Sequence, residues 1–411
     1  MKQAMLQKYG DLAAKVGANV QPDQAVIVQG PVEAAPLIRE VVRAAYDAGA
    51  KEVQVFYRDD VVSREHLLRQ DVETLETIPD WMVASRMYYV EKGACFISVI
   101  APDPDSLTGV DPEKIKRQSR AMQAKTKALS DYLMANHGQW TIVAMPSDAW
   151  AKKVFPQLKL EDAKTELWNQ IFKTVRIEAD NDPVQAWEDH NTRLQRRCAI
   201  LNAMNLKALR YHNAIGTDFT IELVDKHRWA GGSEHTTKGV VFNPNMPTEE
   251  VFTMPYKFGA NGKVVATKPL NYNGKLIDGF WLQFEKGKVV DYGAKEEVEM
   301  LKMLVEMDEG SAYLGEVALV PYHSPISESG LIFYNTLFDE NASCHLALGR
   351  AYPMNVQGGT SMTPEQLEQA GANFSLTHVD FMIGSEDLSI TGILPDGQEV
   401  AIFRQGDFVI E

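Results

Sequence analysis

AVIVQGPVEAAPLIREVVRAAYDAGAKEVQVFYRD spans residues 25–59, and its reading decides the fold class. Residues 25–30 form a short apolar, β-branched run, which reads as a buried strand. Residues 31–50 carry apolar side chains at helical spacing, with Pro31 in the first turn and Gly49 near the end, and they read as a helix. Residues 51–59 return to β-branched and aromatic character and read as a second strand. Strand, helix and strand in such close succession make a βαβ unit, whose strands run parallel.

The pattern continues outward from this unit. Residues 94–102 (ACFISVIAP) and 139–147 (QWTIVAMPS) read as further strands. Residues 66–93 read as helical with a break at Pro79, and residues 113–138 as one long charged helix. Residues 1–205, including a linking helix at 184–205, are therefore expected to be an α/β N-terminal domain with a parallel sheet and helices on its faces. The turn after the first strand, QGPVEAAP, holds neither a GxGxxG nor a P-loop pattern, so this domain is read as structural and without a nucleotide site. Beyond residue 205 short strands follow one another at 209–216, 217–224, 239–244, 250–256, 263–270 and 275–293. Asn261-Gly262 and Asn273-Gly274 read as hairpin turns between them, and residues 295–307 as a single helix. Residues 206–411 are expected to be a mixed, strand-rich α+β domain built on an antiparallel meander.

Bulk composition narrows the function. The chain has 411 residues, is 45% hydrophobic and 24% charged, and carries a formal net charge of −15. That charge argues against nucleic acid and against an anionic membrane surface as partners. Cys95, Cys198 and Cys344 are far apart and form no CxxC, which fits a reducing cytoplasm rather than a disulfide scaffold. The amphipathic, charged N-terminus has no signal-peptide core, and no apolar run approaches the ~20 residues of a membrane span.

The chemistry lies in polar residues set within apolar strands. FSLTHVDFMIGS (374–385) reads as a strand, with His378 and Asp380 sharing one of its faces. Residues i and i+2 of a strand stand roughly 6.5–7 Å apart, so both side chains reach one metal or two adjacent ones. His345 lies among small and apolar residues, and Glu316 interrupts the apolar run GEVALVP. Glu249 and Glu250 directly precede a strand, and alternation allows only one of them to face inward. Buried carboxylates without a partner are costly, and a cation removes that cost. Glu250, Glu316, His345, His378 and Asp380 form an N/O donor set without thiolate, suited to a hydrolytic Zn²⁺, Co²⁺ or Mn²⁺ centre. The residues alone leave a second reading open, a buried hydrogen-bond network among the same five. His66, His137 and His190 are expected to be solvated, and His212, His227 and His235 to lie in polar or turn-rich surroundings.

The second half resembles the thermophilic aminopeptidase family of metallopeptidases. The resemblance is carried by MPTEEVFTMP (246–255), GEVALVPYHSPISESGLIFYNTLFDENASCHLALGRAYP (315–353) and THVDFMIGSEDLSITG (377–392). The opening QAMLQKYGDLAAKVGANVQPDQAVIVQG (3–30) is similar to that family's N-terminal domain. The resemblance implies two cocatalytic divalent metal ions held by Glu250, Glu316, His345, His378 and Asp380, with Tyr352 close to them. It also implies a dimeric cytoplasmic exopeptidase, activated by zinc or cobalt, that acts on peptides with a free N-terminus. Glu316 is the first candidate for general base, with Glu249 and Glu340 behind it, and the Tyr352 hydroxyl is a candidate donor to the developing oxyanion. Two alternatives stand beside this reading: another two-metal amidohydrolase such as a dipeptidase, and a ligand-binding protein with a structural metal.

Overall fold

A computed structural model describes residues 2–272 and 275–410. The chain divides into two compact units, Met1–Asp189 with Ser233–Pro247, and His190–Gly232 with Thr248–Glu411. This division differs from a boundary at 205 in two places. The helix Pro183–Met204 belongs to the second unit from His190 onward, and a short later segment belongs to the first.

The first unit is built on four parallel strands: β1 (Ala25–Pro31), β2 (Glu52–Arg58), β3 (Cys95–Ile100) and β4 (Trp140–Ala144), in the order β2-β1-β3-β4. β1 lies inside the sheet, and Val26, Ile27 and Val28 are fully buried, which is why the opening stretch shows no polar alternation. The helix Ala35–Asp47 buries Leu37, Ile38, Val41, Ala44 and Ala45, the stripe expected of a helix lying on a sheet. The region expected to be helical with one break has two. Helices run over Asp60–Arg69, Val72–Glu76 and Asp80–Val90, because the Asp59 and Asp71 carboxylates accept from Val61, Val62 and Thr74 amides and start new helices. The long charged helix is likewise two, Pro112–Lys125 and Lys127–Met134. They part at Thr126, whose hydroxyl donates back to the Met122 carbonyl at 2.8 Å.

The second unit begins with β5 (Ala208–His212) and β6 (Asp218–Leu223). The next pair, β7 (Glu234–His235) and β8 (Val241–Phe242), forms a hairpin in the first unit, so residues 239–244 do not join the meander. There follow β9 (Val251–Thr253), β10 (Pro255–Val265), β11 (Leu270–Tyr272), β12 (Lys275–Ile277), β13 (Trp281–Glu285), β14 (Lys288–Gly293), β15 (Leu314–Leu319), β16 (His345–Gly349), β17 (His378–Met382), β18 (Ser389–Ile393), β19 (Glu399–Arg404) and β20 (Asp407–Phe408). Eight of these make one sheet, β14-β13-β10-β6-β5-β18-β19-β20, and four make another, β17-β16-β15-β9. Both are antiparallel throughout.

Asn261-Gly262 is not a hairpin turn. It lies inside β10, where Gly262 pairs with both Phe284 and Phe219. Gly262 has φ +104°, and a Cβ there would stand 2.3 Å from the Asp218 carbonyl oxygen, so glycine serves close strand approach. Asn273-Gly274 lies outside the described residues. Leu209, Phe219, Leu282, Val317, Leu346, Phe381 and Ile390, drawn from both sheets, are buried in one apolar cluster. The four-stranded sheet therefore turns one face to that core and keeps the other for polar chemistry. Among the described residues no helix is long and apolar enough to cross a membrane.

Candidate metal centre

Register places the polar residues. β16 pairs with β17 so that Ala347 lies opposite Asp380 and Gly349 opposite His378. β15 pairs with β16 so that Glu316 lies opposite Ala347 and Ala318 opposite His345, and β9 sets Phe252 beside Ala318. Side chains alternate along each strand, so Glu316, His345, His378, Asp380 and Phe252 share the face away from the apolar core. Ala318, Ala347 and Gly349 form a floor of small residues among them. Gly349 is fixed in this role, since it has φ +108° and a Cβ would meet the Thr377 carbonyl oxygen at 2.1 Å.

Glu250 enters from the segment just before β9. Its Oε2 lies 3.2 Å from His345 Nε2, which in turn lies 3.5 Å from Glu316 Oε1. The other Glu316 oxygen is 3.8 Å from His378 Nε2, and Asp380 Oδ1 is 3.3 Å from the same nitrogen. Two triads result, Glu250–Glu316–His345 and Glu316–His378–Asp380, each with one donor atom per residue, all within 4.8 Å of one another. Glu316 belongs to both. Both imidazoles aim Nε2 into the site because Nδ1 is engaged: in His345 by the Ser343 carbonyl at 3.1 Å, in His378 by the Arg350 carbonyl at 2.7 Å. A backbone carbonyl only accepts, so in the neutral ring Nδ1 holds the proton and Nε2 offers its lone pair.

The electrostatics are those of a site gathering positive charge. Burial raises the Glu316 carboxyl to about 7, with Asp380 and Glu250 adding to the rise against the lowering effect of His345. Burial opposes the imidazolium form of both histidines. It is outweighed at His345 by Glu250 and Glu316, which hold that ring well above its usual range, and at His378 by Asp380, which holds it at about 9. Burial also opposes the Asp380 carboxylate, yet the neighbouring His378 keeps it below its ordinary value. Asp380 Oδ1 is buried and has no hydrogen bond of good geometry among the described residues. Three carboxylates and two aimed imidazoles are a donor set that fits hard-to-borderline divalent cations.

The neighbouring expectations divide. Tyr352 stands beside the cluster, its ring 4.7 Å from that of His378 and 6.5 Å from Phe252. Its hydroxyl is held protonated by burial and then by Glu316 and Asp380. Glu340 opens a 3-10 turn, Glu340–Ala342, whose Asn341 side chain accepts from the Glu249 amide at 2.7 Å. Burial, then Glu250 and Asp380, push the Glu340 carboxyl well above its usual range, so it lies in the field of the cluster as a fourth acid. Glu249 is buried too, but turned away: its Oε2 lies 3.7 Å from His190 Nε2, and that nitrogen faces the Thr248 carbonyl at 2.8 Å.

His190 is therefore not solvated, and His227 is also buried, its Nδ1 at the Val224 carbonyl. A signal for His190 was present in the sequence. It falls on the stripe Trp187, His190, Leu194, Cys198, Leu201, all buried along one helix. His66, His137, His212 and His235 are exposed.

The opposed glutamates separate experimentally. Glu250→Ala is expected to weaken metal binding by more than the roughly 100-fold that loss of an outer-sphere partner causes. Glu249→Ala should retain the metal and lose stability instead, about 0.5–3 kcal/mol, because it removes a buried side chain packed beside His190. Calorimetric metal titration and thermal unfolding read the two effects, and an exchange of phenotypes would show the register to be wrong by one residue.

A family model described as thermophilic metalloprotease matches residues 2–408. Aminopeptidase 2 of Geobacillus stearothermophilus is 49% identical over 409 residues, covering 99% of this chain and 98% of the relative. Aminopeptidase AmpS of Bacillus subtilis is 46% identical, with 98% of each chain covered. The solved structure of wild-type AmpT from Thermus thermophilus superposes with a TM-score of 0.93 at 38% identity, covering 100% of both chains.

Proposed function

This chain belongs to the thermophilic metalloprotease family and is a metal-dependent aminopeptidase, and we propose that Glu250, Glu316, His345, His378 and Asp380 hold two divalent cations at its active centre. The observation that carries the proposal is Glu316, whose two oxygens face different histidines and which is common to both triads. The charge agrees. Glu250, Glu316, Asp380 and Glu340 supply four negative charges when ionised, matching two divalent ions, while the imidazoles bind neutral. Zn²⁺ and Co²⁺ suit this mixed N/O set, and Mn²⁺ is the third candidate.

When bound, such a pair lowers the pKa of a water and polarises the scissile carbonyl. The chain's own groups do the rest. Glu316 is the first candidate to accept a proton and to pass it to the leaving amine. Tyr352 keeps its hydroxyl proton and donates it in a hydrogen bond to the oxyanion as charge develops. Glu340 offers a carboxylate to the substrate's α-ammonium, a partner that an internal peptide bond lacks. The buried Cys95, Cys198 and Cys344, none in a disulfide, support a cytoplasmic protein. A homodimer is the assembly implied by the family resemblance, and sedimentation tests it.

Metal uptake is expected to release protons. In the metal-free protein Glu316 titrates at about 7 and His378 at about 9, so below pH 7 both hold protons that a cation must displace. Apparent affinity should fall at least about tenfold per unit as pH drops from 7 to 5. Titration in buffers of different ionisation enthalpy measures the released protons. A pH-independent affinity across that range would remove these groups from the ligand set.

A further inference from the structure

Four of the five proposed ligands are set by strand ladders. Glu316 lies in β15, His345 in β16, and His378 and Asp380 in β17, where cross-strand pairing fixes each position. Glu250 is different. β9 begins at Val251, which pairs with Leu319, so Glu250 stands one residue outside the paired register. Its backbone has to be placed by something other than the sheet. Glu340 likewise lies outside the strands, in the turn Glu340–Ala342.

One side chain touches both outlying segments. Asn341 is fully buried, and its Oδ1 accepts from the Glu249 amide at 2.7 Å. Its Nδ2 donates to the Leu337 carbonyl at 3.2 Å and, at a longer 3.4 Å, to Glu340 Oε1. The backbone partners fix which way the carboxamide faces, because an N–H only donates and a carbonyl only accepts. Asn341 is itself mounted on a braced turn. The Asp339 carboxylate accepts from the Phe333 and Asn335 amides at 2.7 and 3.0 Å, and the Asn335 side chain accepts from the Leu337 amide at 3.1 Å. Phe333 and Phe338, both fully buried, stack at 4.9 Å. On its other side the same segment meets the helix Pro183–Met204, where His190 Nε2 lies 2.8 Å from the Thr248 carbonyl. The backbone before Glu250 is thus gripped from two directions, and a ligand is aimed as well as its supporting groups are held.

We propose that Asn341 is a positioning residue for the metal centre: by holding the Glu249 amide it keeps Glu250 turned towards His345 and Glu316, and so sets the affinity for one of the two cations. The inference rests on the two-cation reading above. Residues of the Glu316–His378–Asp380 triad are carried by β15 and β17, so that site should not depend on Asn341. A side chain that only filled space would move both sites together or neither.

Zn²⁺ titration of the metal-free protein, followed by calorimetry, reads the two sites as two steps, and Glu250→Ala identifies the step that needs Glu250. Asn341→Leu keeps the volume but offers no acceptor. It should weaken that same step by about 10- to 100-fold, the range for losing a partner outside the coordination sphere, while the other step keeps its wild-type affinity. Asn341→Asp retains an acceptor oxygen for the Glu249 amide and loses the donated bonds. The ratio of its two affinities should stay at the wild-type value; the ratio is the readout because the added carboxylate draws both cations. This variant also carries the test if Asn341→Leu does not fold. Two unchanged steps in Asn341→Leu, equal weakening of both, or a ratio in Asn341→Asp that falls about tenfold would each overturn the proposal. A single step in the wild-type protein would remove the two-cation reading instead. Asn341 is then judged on that step alone: weakening in Asn341→Leu sustains the positioning role, and an unchanged affinity overturns it.

Discussion

Hydrolysis of Leu-anilide by this protein should fall to background after exhaustive chelation, and return on adding Co²⁺, Zn²⁺ or Mn²⁺. On the proposed ligand set, removing the cations leaves Glu250, Glu316 and Asp380 facing one another around two imidazoles at the distances seen in the two triads. Those carboxylates then depend on protons for compensation, which is the state in which Glu316 rises to about 7. The donor side chains are anchored by β15, β16 and β17, whose other face packs in a large apolar core. Chelation should therefore abolish activity while native circular dichroism persists. This separates a catalytic centre from a structural metal, whose loss unfolds its domain. Metal addition should still raise the melting temperature, since a ligand at 100 times its Kd stabilises by about 2.7 kcal/mol. Glu316→Gln is expected to lower kcat by roughly 10²–10⁴ if that carboxylate carries the proton. Measuring bound metal in Glu316→Gln distinguishes its two roles: retained metal with lost turnover assigns the base, and lost metal assigns the bridge. Full turnover by protein shown by elemental analysis to be metal-free would sink the whole scheme.

The second large effect concerns the substrate. Leu- and Ala-anilides with a free α-amine should be cleaved, and their N-acetylated counterparts should lose on the order of 10⁴ in kcat/KM, as when a site built for a polar group meets an analogue lacking it. Acetylation removes the cationic amine that the half-buried acid Glu340 is proposed to meet. It also adds bulk and displaces the scissile carbonyl, and such displacement forfeits orientation as well as binding. The defect should appear in kcat as well as KM, because a misplaced carbonyl is bound without reacting. Glu340→Gln should narrow the gap between free and blocked substrates, mainly by slowing the free ones. Equal turnover of blocked and free substrates would reject exopeptidase action and favour an endopeptidase or another amidohydrolase.

Much of the fold was legible because its signals are local. The βαβ pattern of residues 25–59 follows from hydrophobic periodicity, and the structure has parallel strands there. The same period of two puts His378 and Asp380 on one face from the sequence alone. Glu316 and His345 stood out as polar residues in strands otherwise buried on both faces. The failures share one cause. Asn261-Gly262 resembles a turn, yet its glycine is needed for a close approach by residues more than forty positions away in sequence. His190 looked solvated because the acidic residues around it lie on the other side of its helix. Residues 239–244 looked like one more meander strand because nothing within them records which unit they join.

By itself the sequence determined element type, the two-fold alternation that turns each ligand candidate inward, and the choice of N/O donors over thiolates. All of these are set within a few residues of the position concerned. Only the tertiary structure decided which face of Glu249-Glu250 meets which histidine, that Glu316 stands between two triads, and that Glu340 shares their field. These depend on cross-strand register, which local sequence leaves open and long-range packing closes. A slip of one residue between β15 and β16 would turn Glu316 into the apolar core and dismantle the centre. The register is held by the core-facing residues Val317, Leu346 and Phe381, whose burial would be lost in the same slip.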